Sequence, residues 1–211
     1  MVLTVRRVAA LDKGKVKVSL DDGTEFVLYR GEVRQLALRE GGILSEEQYD
    51  RIKNEILGKR AKKRAMHLLE RQDRTEQQLY EKLKQNGYPE DCIIDALDYV
   101  KSYHYLDDLR FARTYIRYQQ EKKSRQRLKM DLLAKGVKSQ LIEQAMEEEY
   151  ASDETEKIMQ LLEKRQYTSL YQDEKEKRKI YQFLLRRGFQ SNDIMRTMRV
   201  AEQEADLKRS E

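Results

Sequence analysis

The sequence predicts a mainly α-helical protein of three tandem three-helix units, with a small β-sheet at its start. Three observations carry that expectation. Only one proline occurs in 211 residues, and Glu, Lys, Arg, Gln and Leu are abundant, a composition that favours helix over most of the length. Alternation with a period of two is confined to the first thirty residues. One arrangement of apolar residues around a glycine recurs three times without internal gaps.

The sheet comes first. KVKVSL (15–20) alternates lysine with β-branched residues, Asp21-Asp22-Gly23-Thr24 supplies turn chemistry, and EFVLY (25–29) resumes β-prone residues. With TVRRV (4–8) this reads as a two- or three-stranded sheet, marginal alone and expected to pack on a helix. Residues 31–40 read as a short helix ended by Gly41 and Gly42. Ser45-Glu46-Glu47-Gln48 is a capping box that opens another helix, with Leu44, Tyr49, Ile52 and Ile56 on its apolar side.

From about residue 59 onward the pattern is helical and repeats. Around Gly87, Gly136 and Gly188, an aliphatic residue stands eight before (Leu79, Leu128, Ile180) and four before (Leu83, Leu132, Leu184). Tyr88, Val137 or Phe189 follows the glycine, isoleucine recurs six after (Ile93, Ile142, Ile194), and Leu97, Met146 or Met198 ten after. Steps of four put the aliphatics on one helical stripe. Glycine just past a helix end adopts the left-handed conformation at no Cβ cost, and the apolar residue after it folds back on the last turn. Pro89 suits the first turn of the following helix, and Ser139 and Ser191 are candidate N-caps. A further helix precedes each pair, at about 59–72, 108–122 and 153–166. The expected organisation is therefore an N-terminal strand-and-helix extension (1–58) and repeats at 59–107, 108–151 and 152–211, the last with a C-terminal tail. Units this small are marginal alone, and stacking them predicts an elongated, curved array.

Composition excludes several classes. A single cysteine, Cys92, rules out an internal disulfide framework and a Cys-cluster zinc site, and beside Ile93 and Ile94 it reads as a core residue. No apolar run approaches the roughly 18 residues of a membrane span, and the N-terminus has no signal-peptide pattern, so a cytoplasmic protein is expected. No phosphate-binding glycine loop is present, and His67 and His104 lack metal-site spacing. Asp21 and Asp22 belong to a turn, and Asp107 and Asp108 to a helix start. Nothing assembles a nucleophile, a base and an oxyanion site, so neither an enzyme nor a cofactor is expected.

What remains is positive charge. The net +5, from 43 basic and 38 acidic residues, permits a polyanionic partner, and its local distribution matters more than the sum. On a helix starting near Asp108, Arg110, Arg113 and Arg117 fall within roughly a 60° arc, opposite Phe111, Ala112, Tyr115 and Ile116. They read as one exposed row, continued by Lys122, Lys123 and Arg125 at the next turn and by Arg127 and Lys129 on the next helix. Arg127 also stands at i, i+4 from Asp131, a spacing at which the two pair. A secondary patch, Lys59, Arg60, Lys62, Lys63 and Arg64, opens the first repeat. KEKRK (175–179) mixes signs with its acidic neighbours and reads as a solvated face.

The stretch YLDDLRFARTYIRYQQEKKSRQRLKMDLLAKGV (105–137) resembles the signature region of the bacterial RecX family of regulatory proteins. The likeness rests on Leu-Asp-Asp-x-Arg-Phe-Ala from Leu106 to Ala112, Tyr115, the basic run to Arg127-Leu128, and Lys-Gly-Val ending at Val137. It extends over about residues 60–200, and the N-terminal sheet resembles the extension of Firmicute-type members. Ser124 stands where many members have glycine. The resemblance implies a negative modulator of RecA recombinase, acting in homologous recombination, DNA repair and the SOS response. It would bind the RecA filament and single-stranded DNA, with duplex DNA bound more weakly, as a monomer away from membranes. Two alternatives stand beside it: a helix-turn-helix regulator reading duplex DNA, and a helical-repeat adaptor without nucleic acid. Against the first, the helices following Gly87 and Gly136 are acidic at exposed positions.

Overall fold

The structure, a computed structural model, describes residues 2–151 and 153–210. The expected limits at residues 1, 152 and 211 fall outside that range. The described chain divides into two compact units, Met1–Asp107 and Asp108–Glu211.

The first unit joins the sheet to the first repeat in one core. Strands β1 (Leu3–Ala10), β2 (Lys15–Leu20), β3 (Glu25–Tyr29) and β4 (Ile43–Leu44) form an antiparallel sheet in the order β3-β2-β1-β4. Alternation decides its faces: Val16, Val18 and Leu20 are buried while Lys15 and Lys17 lie on the other side. The β2–β3 turn is held by Asp22, whose Oδ1 accepts from the Thr24 amide at 2.8 Å, with Gly23 at φ +89°. The fourth strand adds to the two or three expected, and it takes Leu44 away from the following helix. The helix expected over 31–40 is shorter, α1 (Arg30–Gln35), because Ala37 turns to φ +51° before the glycines are reached.

Ser45 caps α2 (Glu46–Asp50) as its sequence predicts: its side chain accepts from the Gln48 amide at 3.2 Å and Gln48 reaches back. The helix continues through a π-wound segment, Arg51–Gly58, into α3 (Lys59–Arg71). Two more helices, α4 (Glu76–Gln85) and α5 (Glu90–Ser102), complete the repeat. Phe26 and Leu28 of the sheet share one cluster with Ile52, Ala61, Leu83, Ile93 and Val100. A marginal sheet thus gains its stability by burying one face on α3–α5.

The second unit holds the other two repeats: α6 (Asp108–Gln119), α7 (Arg125–Ala134) and α8 (Ser139–Glu149), then α9 (Glu154–Lys164), α10 (Tyr167–Leu170), α11 (Glu174–Arg186) and α12 (Ser191–Ser210). Each repeat has its own apolar cluster. The residues eight and four before each glycine, and six and ten after, are buried in all three repeats; Val137 and Phe189 are buried too, and Tyr88 is half-buried. The glycines lie at φ +81°, +86° and +84° and close the same cap. In each, the glycine amide donates to the carbonyl three residues back at 2.9 Å, and the next amide donates to Leu83, Leu132 or Leu184 at 3.5, 3.1 and 3.4 Å.

Three helix starts differ from expectation. Lys138 is the N-cap of α8 and Ser139 its first helical residue, and α12 likewise begins at Ser191 itself. Pro89 is the N-cap of α5, one residue before the first turn. In each case the chain leaving the glycine cap turns helical one position earlier or later than the residue types suggest.

Candidate functional site

The α6 helix faces inward as the sequence indicates. Ala112 and Ile116 are buried, and Phe111 and Tyr115 stack with ring centroids 6.4 Å apart. Leu128, Leu132, Ile142 and Met146 close the cluster beneath them. This anchoring directs the arginines to the other side of the helix. Arg110 and Arg117 are exposed and Arg113 is half-buried.

The row is less open than its spacing implies. The acidic end of α8 lies along it. Arg113 Nε donates to Glu148, and Arg117 grips both carboxylate oxygens of Glu149 at 3.0 and 2.7 Å. These guanidinium groups hold the Glu148 and Glu149 carboxyls below their ordinary range, and Glu149 in turn raises Arg117. The sequence had suggested a fully outward line; packing of α6 against α8 turns two of its members into intramolecular partners.

A second knot forms at the start of α7. Lys123 Nζ donates to Asp131 at 2.7 Å and to the Tyr115 hydroxyl at 2.8 Å, and Tyr115 donates to Asp131 at 3.0 Å. Arg127 pairs with the other Asp131 oxygen at 3.0 Å, at the i, i+4 spacing read from the sequence. Burial is the largest single influence and would lower Lys123 and raise Asp131, but their mutual hydrogen bond, the bonds to the Tyr115 hydroxyl and the facing charges together outweigh it, so Lys123 is raised and Asp131 lowered. Lys129 pairs with Glu143 at 2.7 Å. Lys122 and Arg125 remain: both are exposed and neither forms an ion pair among the described residues. The Arg125 guanidinium lies 5.7 Å over the Tyr150 ring.

Ser124 holds this surface in place. It is fully buried, its Oγ accepts from the Arg127 amide at 3.1 Å, and its hydroxyl donates to the Gly188 carbonyl at 2.7 Å. Its own amide donates to the Arg187 carbonyl at 3.1 Å. The serine is therefore the cap of α7 and also a link between the second and third repeats. The Arg125 amide adds a bond to Glu154 at 2.6 Å, and Tyr150 donates to the same carboxylate at 2.8 Å.

The secondary patch splits into two faces of α3. Lys59 is exposed. Arg60 pairs with Glu32 and lies 4.6 Å over the Tyr29 ring. Lys62 lies 5.5 Å over Tyr99. Arg60, Lys63 and Arg64 share the other face and line a cleft against β3, together with Lys15 and Tyr88, residues whose sequence pattern pointed only to a strand and a helix cap. Among the described residues, no group of three or more His, Cys, Asp or Glu side chains is placed to hold a metal ion, and no helix is long and apolar enough to cross a membrane. Cys92 is buried, and burial pushes its thiol up to about 12.

Comparison with known proteins follows the repeats closely. Family profiles for the first, second and third three-helix domains of RecX match residues 61–99, 107–146 and 152–198. Regulatory protein RecX of Caldanaerobacter subterraneus subsp. tengcongensis is 31% identical over 199 residues, spanning 93% of this chain and 98% of that protein. Regulatory protein RecX of Clostridium botulinum strain Eklund 17B is 27% identical over 191 residues, with 89% and 90% covered. Among solved structures, a crystal structure of regulatory protein RecX superposes with a TM-score of 0.58 over 90% of this chain and 96% of its own, at 24% identity. RecX from Lactobacillus salivarius gives 0.56 over 71% and 97%, also at 24%. With all three of the family's three-helix domains present in order and a relative matched nearly end to end, this chain belongs to the RecX family of regulatory proteins.

Proposed function

We propose that this protein is a negative modulator of RecA recombinase. It docks on the RecA–single-stranded DNA filament and inhibits ATP hydrolysis, filament extension and strand exchange, and so acts in recombination and repair in the cytoplasm. The observation that carries this reading is the α6–α7 surface: aromatic residues anchor one side of α6, and the other side offers Arg110, Arg113 and Arg117 beside the exposed Lys122 and Arg125. Guanidinium forks suit phosphate and carboxylate alike, so the surface can meet both DNA backbone and acidic protein. The Glu148 and Glu149 carboxylates occupy two of these forks in the free protein. They act as exchangeable stand-ins that a filament's anions displace, and they place acid on the very helix a groove-reading protein would insert into duplex DNA.

The test is RecA ATPase on single-stranded DNA titrated with this protein. Lys122→Glu with Arg125→Glu reverses two exposed charges that form no ion pair among the described residues, so helicity stays and inhibition weakens. Reversing Arg113 and Arg117 instead would set carboxylates against Glu148 and Glu149 and confuse folding with binding. Glu148→Gln with Glu149→Gln removes the carboxylate charge from both pairs and steepens the log–log salt dependence of binding, by about 1.4 if each arginine then neutralises one phosphate. Full inhibition by the Lys122→Glu, Arg125→Glu protein would remove this surface from the mechanism.

A further inference from the structure

We propose that the cleft between β3 and α3 in the first unit binds a nucleoside phosphate, holding the phosphate on Lys15, Lys63 and Arg64 and the base against Tyr29. This site stands apart from the α6–α7 surface and gives the N-terminal sheet a task. The cleft measures about 530 Å³, within the range of small-ligand sites, roughly 300–1,000 Å³. Its lining includes four permanent cations, Lys15, Arg60, Lys63 and Arg64, together with His67 and no carboxylate. Two acidic residues outside the lining pair with members of it: Glu32 with Arg60, and Glu70 with His67 Nδ1 at 3.7 Å. Like charges gathered in one concavity repel, and an entering anion relieves that repulsion.

Two further observations bear on the ligand, the first pointing to a base and the second to its phosphate. Tyr29 lines the cleft, is 48% exposed as a residue and carries the Arg60 guanidinium 4.6 Å over one face of its ring, a cation–aromatic pair of the kind that joins base stacking. Arg64 lines the cleft, and its Nε is buried without a hydrogen-bond partner, so an anion that draws the guanidinium toward the cleft breaks no existing bond at that nitrogen. The walls are fixed: the Val27 amide donates to the Gly87 carbonyl at 3.1 Å, tying β3 to the loop that carries Tyr88. The same chemistry could come from a free nucleotide or from one residue of a single strand.

The experiment uses the full chain at low salt and two probes read by fluorescence anisotropy, a fluorescent ADP analogue and a labelled oligo(dT). The variants are Tyr29→Ala and Lys63→Glu, both at exposed side chains. Tyr29→Ala should weaken binding about fivefold or more, the size of one stacking contact. Lys63→Glu should weaken it too, and for the oligonucleotide should flatten the log–log salt slope by about 0.7. Loss confined to the ADP analogue identifies a free nucleotide; loss for oligo(dT), with the analogue displaced by it, identifies a strand. The proposal is overturned if the parent protein binds neither probe, or if both variants bind both probes as the parent does. It is equally overturned if the variants lose only poly-glutamate binding, which would make the cleft a dock for acidic protein. RecA inhibition is read in a separate assay, so failure of the cleft and failure of the α6–α7 surface are told apart.

Discussion

Gly87→Ala tests why the repeat keeps a glycine. The residue sits at φ +81°, where a side chain costs about 1–2 kcal/mol through its clash with the following carbonyl. A Cβ built on Gly87 would also lie 2.2 Å from Val27 Cγ2 and 3.0 Å from Val27 Cβ. The loop cannot retreat freely, because the Gly87 carbonyl is bonded to the Val27 amide at 3.1 Å. Forcing a methyl into such a contact costs about 1–3 kcal/mol more. Gly23 supplies the control within the same unit: its φ is +89° and nothing lies within 4 Å of its built Cβ. Gly87→Ala is therefore expected to destabilise by about 2–5 kcal/mol and Gly23→Ala by about 1–2 kcal/mol. Val27→Ala removes the Cγ2 methyl and leaves only the 3.0 Å contact, so it should return about 1 kcal/mol in a double-mutant cycle. Urea unfolding followed by circular dichroism measures the free energies, and hydrogen exchange of the β3 amides reports on this unit separately from the other. Equal costs for the two glycine variants, or no rescue by Val27→Ala, would show that φ alone requires the glycine and that the close approach of β3 is wrong.

Three other outcomes follow from the second unit. Ser124→Ala should cost about 1–3 kcal/mol, from the lost α7 cap and the lost bond to Gly188, whereas Ser124→Gly keeps a tolerable cap and should cost about 1 kcal/mol in the same urea experiment. Lys157 is buried beneath the Tyr150 ring at 4.0 Å with no hydrogen-bond partner for its Nζ, and burial lowers its pKa; Lys157→Met should raise the melting temperature by a few degrees, about 1 kcal/mol. The Asp131 carboxyl is lowered from its ordinary 3.8 by Lys123, so its contribution is complete above that value and is lost as pH falls through the lower folded-state value. Lys123, raised from 10.5, contributes fully below that value and loses its share as pH rises through the higher folded-state one. Acid unfolding of Asp131→Asn should accordingly show a shallower stability loss below pH 3.8 than the parent.

Much of this molecule was legible as a string of residues because its determinants are local. The aliphatic stripes, the glycines past the helix ends and the Ser45–Gln48 capping box are each specified within a turn or two of chain, and the folded protein keeps them. The inward face of α6 follows equally from its 3.6-residue period. The end of α1 differs from the sequence reading by several residues and the starts of α5, α8 and α12 by one, since a helix end answers to the backbone conformation around it as well as to residue type.

The candidate surface was legible only in part. Arg110, Arg113 and Arg117 can be placed on one arc from spacing alone, and the acidic run Glu147-Glu148-Glu149 is equally visible in the sequence. That the two meet depends on α8 packing along α6, a contact between residues more than thirty positions apart that no local pattern encodes. The cleft between Lys15, Tyr29 and α3 is hidden for the same reason. Sequence by itself determined the helices, their apolar faces and the repeat, because hydrophobic periodicity and backbone stereochemistry act over short stretches. Beyond the local Arg127–Asp131 pair, tertiary structure decided which charges of the surface are neutralised and which stay available, because electrostatic pairing is a matter of distance in space and is screened in water over about 10 Å.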